Sequence, residues 1–101
     1  MQNRIVKKSL RITIKSIKGN CPVFQAGQQF FIHQGYILDS NNQPLCMHAL
    51  SSLMPFYSML SLPEIKPEDI GLGFSTKAYI QCPDPCDITN GGTVLFEIEK
   101  V

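Results

Sequence analysis

The chain has 101 residues, of which 44% are hydrophobic and 17% charged, with nine Lys and Arg against eight Asp and Glu. That length holds one ordinary domain, residues 1–101, and the apolar fraction is enough for one core. A net charge of +1 argues against a nucleic-acid binder, which would carry a basic face.

The one basic cluster, Lys7 and Lys8 followed by Arg11, Lys15 and Lys18, reads as a solvated strand face. No 18-residue apolar run is present, so no transmembrane helix is expected. The opening MQNRIVKKSL lacks the apolar stretch of a signal peptide. The expected compartment is the cytosol, where thiols stay reduced. The sparse charge fits a covered surface, in a homo-oligomer or against a protein partner, and equally a sparsely charged monomer.

LRITIKSIKG (Leu10 to Gly19) alternates Leu10, Ile12 and Ile14 with Arg11, Thr13 and Lys15, the period of a half-buried strand. Gly19, Pro22 and Gly27 break the pattern. QQFFIHQGYIL (Gln28 to Leu38) is aromatic and β-rich and reads as one second strand, paired with the first as a hairpin. DSNNQP is a loop. Pro44 then suits a first helical turn, and Cys46, Ala49, Leu50 and Leu53 form one apolar helical stripe.

Pro55 kinks or ends this helix, and FYSMLSL adds a turn or two. The Met-rich surface of residues 45–60 packs on the core or receives a partner. Residues 63–73 read as a connection. Ser75 to Cys82 reads as a strand, and after the CPDPCDITNGG turn TVLFEIEKV is the clearest strand of all. The predicted fold is α+β: a mostly antiparallel sheet of about four strands packed on one kinked helix.

The chemistry-bearing residues are four cysteines: Cys21, Cys46, Cys82 and Cys86. Their spacing lacks the paired CxxC knuckles of zinc ribbons. Cys21 and Cys82 each follow a strand and precede a proline, which holds the preceding residue extended. If the two strands run the same way, both thiols sit at one sheet end. Cys86, within a turn of Cys82, would join them. Cys46 is ambiguous: a simple hairpin puts the helix start at the far end, and a cysteine on an apolar stripe is also a small hydrophobe. Three or four thiolates suit zinc or an iron–sulfur cluster.

IKGNCP, QQFF after a glycine, PLCMHAL with LMPF, CPDP and a closing VLFEIEK together resemble a family. Its members are small uncharacterised cysteine-containing proteins with a CPD motif, found in anaerobic bacteria and archaea and sometimes tandemly repeated. The resemblance covers about residues 10–101. It implies that Cys21, Cys46 and Cys82 belong to one pattern, with metal or redox chemistry. Many members carry a Gly-His pair after the first cysteine and an acidic residue after the following glycine. This chain has Phe24, Gln25 and Gln28 there. Cys86 lies outside the pattern, as a local addition or a replacement ligand.

His33 and His48 are candidate fourth ligands. Asp84 and Asp87 read as turn residues. No Ser-His-Asp arrangement is legible, and neither NGG nor GLG has a phosphate-loop context. The expectation is therefore a protein that binds zinc or an iron–sulfur cluster rather than an enzyme. The alternatives are a thiol redox protein using Cys82 with Cys86 as resolving partner, and an interaction module with ordinary cysteines.

Overall fold

The alternation in LRITIKSIKG becomes strand β1, Leu10–Gly19, in a computed structural model that describes residues 6–101. Residues 1–5, which open the stretch read above as lacking a leader, lie outside the described residues. The other strands are β2 (Gln29–His33), β3 (Ile37–Asp39), β4 (Gly73–Phe74), β5 (Lys77–Gln81) and β6 (Gly92–Lys100). They form one antiparallel sheet in the order β3-β2-β1-β6-β5-β4. Three short helices accompany it: α1 (Met47–Leu53), α2 (Tyr57–Leu60) and α3 (Cys86–Thr89).

The fold is α+β, as the pattern predicts, but with six strands rather than about four. The second predicted strand is in fact a hairpin. Gln34 and Gly35 both take positive φ, 56° and 85°, and turn β2 back into β3. The predicted helix is cut by Pro55 into α1 and α2, and it starts later than expected. Pro44 precedes it, and Cys46 is the N-cap of α1. The CPDPC turn holds a further helical turn, α3.

β1 and β6 form the centre, paired from Leu10↔Lys100 to Gly19↔Gly92. A bulge between Ile14 and Ser16 shifts the register by one residue. Leu10, Ile12 and Ile14 face the core before the bulge, and Ile17 packs against the core after it. On that face Phe24, Phe30 and Phe96 meet. Phe24 stacks on Phe30 with centroids 6.2 Å apart, and Phe96 stands edge-on to both at 6.0 and 6.5 Å. Ala49 and Leu53 of α1 and Leu60 of α2 close the core from above.

The opposite face is polar. Its centre is Glu97, whose side chain is nearly covered. The Tyr79 hydroxyl donates to Glu97 Oε2 at 3.1 Å, and Lys15 and Lys77 lie 3.5 and 3.6 Å away. Burial pulls the Glu97 carboxyl up, but the tyrosine hydrogen bond and the two lysines outweigh it and hold the group below its ordinary value of 4.5. The bulged Lys15 thus neutralises a carboxylate that the neighbouring strand has buried. Arg11 pairs with Glu99 at 2.7 Å on the same face.

Phe96→Ala removes a ring from the centre of the aromatic cluster. It is expected to cost about 3–5 kcal/mol, read as a lower denaturant midpoint with an unchanged slope. Glu97 should also leave a mark on the pH profile. Its folded pKa is depressed, so its stabilisation is present above the unfolded glutamate value and is lost as pH falls through the folded one. Thermal melts from pH 6 downward should show a steeper acid loss for the native chain than for Glu97→Gln.

Candidate functional site

Three of the four cysteines lie around one cavity at a single edge of the sheet, without forming a cluster at ligand spacing. β1 and β5 both lie antiparallel to β6, one on each side of it, so they run the same way and end at the same edge. Cys21 follows β1 and Cys82 follows β5. The β2–β3 hairpin supplies the third. β2 carries the chain to the far end of the sheet, and β3 brings it back. Asn41 and Gln43 then both donate to the Gln29 carbonyl, guiding the chain up to Cys46. Treating β2 and β3 as one strand would have left Cys46 at the wrong end.

Cys21, Cys46 and Cys82 line one cavity of about 130 Å³, together with His48, Asp84 and the apolar walls of Val23, Phe24, Ala49 and Val94. Cys82 is buried, whereas Cys21 and Cys46 are half-buried, and all are free thiols. Cys82 Sγ accepts the Val94 N–H at 3.2 Å, and Cys21 Sγ accepts the Phe24 N–H at 3.3 Å. Each of these two sulfurs is thus fixed by a backbone donor. Cys46 caps α1 with extended backbone (φ −84°, ψ 129°), but its side chain makes no capping bond. Its thiol is therefore not spent on the helix terminus, as a serine or aspartate there would be.

Close approach at this edge depends on Gly92. A Cβ at that position would stand 2.6 Å from the Cys21 nitrogen and 2.7 Å from the Asn20 carbonyl carbon. Only a glycine lets the start of β6 lie against the chain leaving β1. Asp84 ties the neighbouring loop: its carboxylate accepts the Thr89 hydroxyl, and its carbonyl accepts the Thr93 hydroxyl.

Cys86 sits elsewhere. It opens α3 and lines a wider concavity of about 430 Å³ on the polar face, with Ser16, Lys18, Gln81, Thr93 and Leu95. The strand pleat explains the separation. Ile80 and Cys82 face the core, whereas Gln81 faces the other way, and the Pro83–Pro85 turn carries Cys86 round to the side of Gln81. The four thiols therefore do not share one cavity, and neither do Cys82 and Cys86. Asp87 pairs with Lys18 at 2.9 Å in the open, a contact of little energetic weight.

His33 is also apart from the thiols. It stacks on Phe31, and its Nε2 lies 3.0 Å from Asp39 Oδ2, at the far end of β2. The Asp39 carboxyl is held below its ordinary value, first by the Asn41 N–H and then by His33. His48 is the histidine on the cavity wall. Among the described residues no three His, Cys, Asp or Glu side chains are already spaced as a metal-binding group. No described helix is long and apolar enough to cross a membrane.

Burial sets an order of thiol reactivity. Iodoacetamide on the native protein is expected to label Cys21, Cys46 and Cys86 first and Cys82 only on unfolding, as read by peptide mass spectrometry over time. Labelling of Cys82 at the rate of Cys86 would contradict the burial described. Comparison with protein-family models, with curated proteins and with solved structures finds no significant match to this chain.

Proposed function

We propose that the protein binds a soft metal ion, zinc, through Cys21, Cys46 and Cys82, with His48 as the fourth donor. One observation carries the reading. Three cysteines from segments 25 and 36 residues apart in the chain line a single small cavity, and an imidazole stands on its wall. Three thiolates with one imidazole form a donor set that zinc takes in tetrahedral structural sites. An iron–sulfur cluster is the weaker reading, because such clusters ordinarily take four thiolates and Cys86 lines a different cavity.

The donors are not held at ligand spacing, so binding draws their segments together. Cys21 lies in a loop and Cys46 just ahead of a short helix, so neither is held within a strand ladder. Drawing them onto Cys82 couples metal affinity to the stability of this sheet edge. The role is binding rather than catalysis.

The test is elemental analysis of anaerobically purified, untagged protein, followed by cobalt substitution. The expected result is near one zinc per chain, with thiolate-to-cobalt absorption after exchange. Cys21→Ser, Cys46→Ser and Cys82→Ser should each abolish that absorption, His48→Gln should shift it, and Cys86→Ser should leave it unchanged. Saturating zinc should raise the melting temperature, by an amount equivalent to about 2.7 kcal/mol at a hundredfold excess over Kd. Four titratable thiols, no metal and an unmoved melting temperature would overturn the reading and leave the cysteines as small core residues.

A further inference from the structure

The charges of this chain are unevenly placed. Between Lys18 and Glu64 the only Asp, Glu, Lys or Arg is Asp39. That stretch builds β2, β3, α1 and α2, one end of the sheet with the helices beside it. Among the described residues ten large hydrophobic side chains are exposed, and six of them belong to this uncharged half. Tyr36 is 73% exposed, Met54 63% and Leu38 49%. These three, with Leu50 and Tyr57, line a groove of about 250 Å³ between the edge strand and the helices. β3 itself is the outermost strand, and no described strand lies on its outer side.

We infer that β3 and this groove form a twofold interface with a second copy of the same chain. Pairing β3 with the β3 of the second copy would extend the sheet across the axis.

Three observations select a second copy as the occupant. First, the lining of the groove has no charge for a charged partner to complement, so its complement is itself uncharged, and the same groove on another copy meets that condition. Self-complementary patches are what twofold dimers join. Depletion of charge together with Tyr and Met enrichment is the composition of an interface core. Second, the edge strand is not defended. Ile37 and Leu38 are both exposed, and β3 holds neither a lysine nor a proline to blunt the edge. Third, the charges beside the groove are already occupied: Asp39 accepts from Asn41 and pairs with His33, and Lys7 donates to the Ser58 hydroxyl.

Antiparallel pairing centred on Leu38 sets Leu38 against its twin beside the two grooves. It also sets each Asp39 against an Ile37, keeping the carboxylates apart. The inference stands independently of the zinc reading, since none of these residues lines the thiol cavity.

Light scattering coupled to gel filtration tests it, on the full chain from about 1 to 100 μM, with and without chelator. The expected mass is twice the 11.3 kDa of the chain. Leu38→Lys and Met54→Lys each put two like charges at the axis or beside it, and each should weaken association by about tenfold or more. Circular dichroism and the cobalt spectrum should be retained. Ile88→Lys, at a still more exposed apolar site on α3, should leave the mass unchanged.

A monomer throughout the concentration range would overturn the inference. So would a dimer that survives both lysine variants. Sedimentation of a monomeric chain with phosphatidylcholine vesicles would overturn it in favour of a lipid surface.

Discussion

The structure depends on the pairing of β1 with β6. These are the two longest strands, and they come from opposite ends of the described chain. Each carries a buried apolar row on one face and charged residues on the other. Because β6 lies between β1 and β5, the two strands that end in cysteine-proline run in the same direction. Every other feature of the thiol edge follows from this. The close fit of Gly92 against Asn20 and Cys21 is the last step of the β1–β6 ladder. The Cys82 N–H and sulfur both bond to Val94, continuing the β5–β6 ladder by one residue.

The same pairing separates the two faces of the sheet. Alternation sends phenylalanine and isoleucine to the helix side and Glu97, Glu99, Lys77 and Tyr79 to the open side. A buried carboxylate in the middle of a sheet is costly unless matched. Here a tyrosine hydroxyl and two lysines match it, and one of those lysines is supplied by the bulge in β1. The bulge therefore acts on both faces at once: it re-phases the apolar row from Ile14 to Ile17 and turns Lys15 toward Glu97.

Much of this was legible in the residues. The alternation of LRITI and VLFEI gave both central strands, and proline after Cys21 and after Cys82 marked where each strand gives way to a loop. The parallel sense of β1 and β5 had to be assumed, since strand order is a long-range property that no local pattern carries. The β2–β3 turn was missed because HQGY lies inside a continuous β-rich run. The Gln34-Gly35 pair is its signal, two successive residues of positive φ within a three-residue connection from His33 to Ile37.

Cys86 lines a different cavity from the other thiols for a related reason. Counting residues from Cys82 measures distance along the chain, but which side of the sheet a residue meets depends on the pleat and on the turn that follows. The bulge, too, had a trace in the sequence: the apolar spacing lengthens from two residues to three between Ile14 and Ile17. The walls of the thiol cavity, Phe24 and Val94 among them, looked like ordinary core residues, and in composition they are.

The central position of β6 also orders events in time. The strand that completes the sheet is the last to leave the ribosome. Until it arrives, β1 with its hairpin and β5 with its short neighbour are two separate ribbons, each with an open inner edge, and the Glu97 cluster and the aromatic triad are both incomplete. Closure must then bring together segments some ninety positions apart in the chain, a topology that folds slowly. Until β6 is made, the inner edges of β1 and β5 have no partner in this sheet.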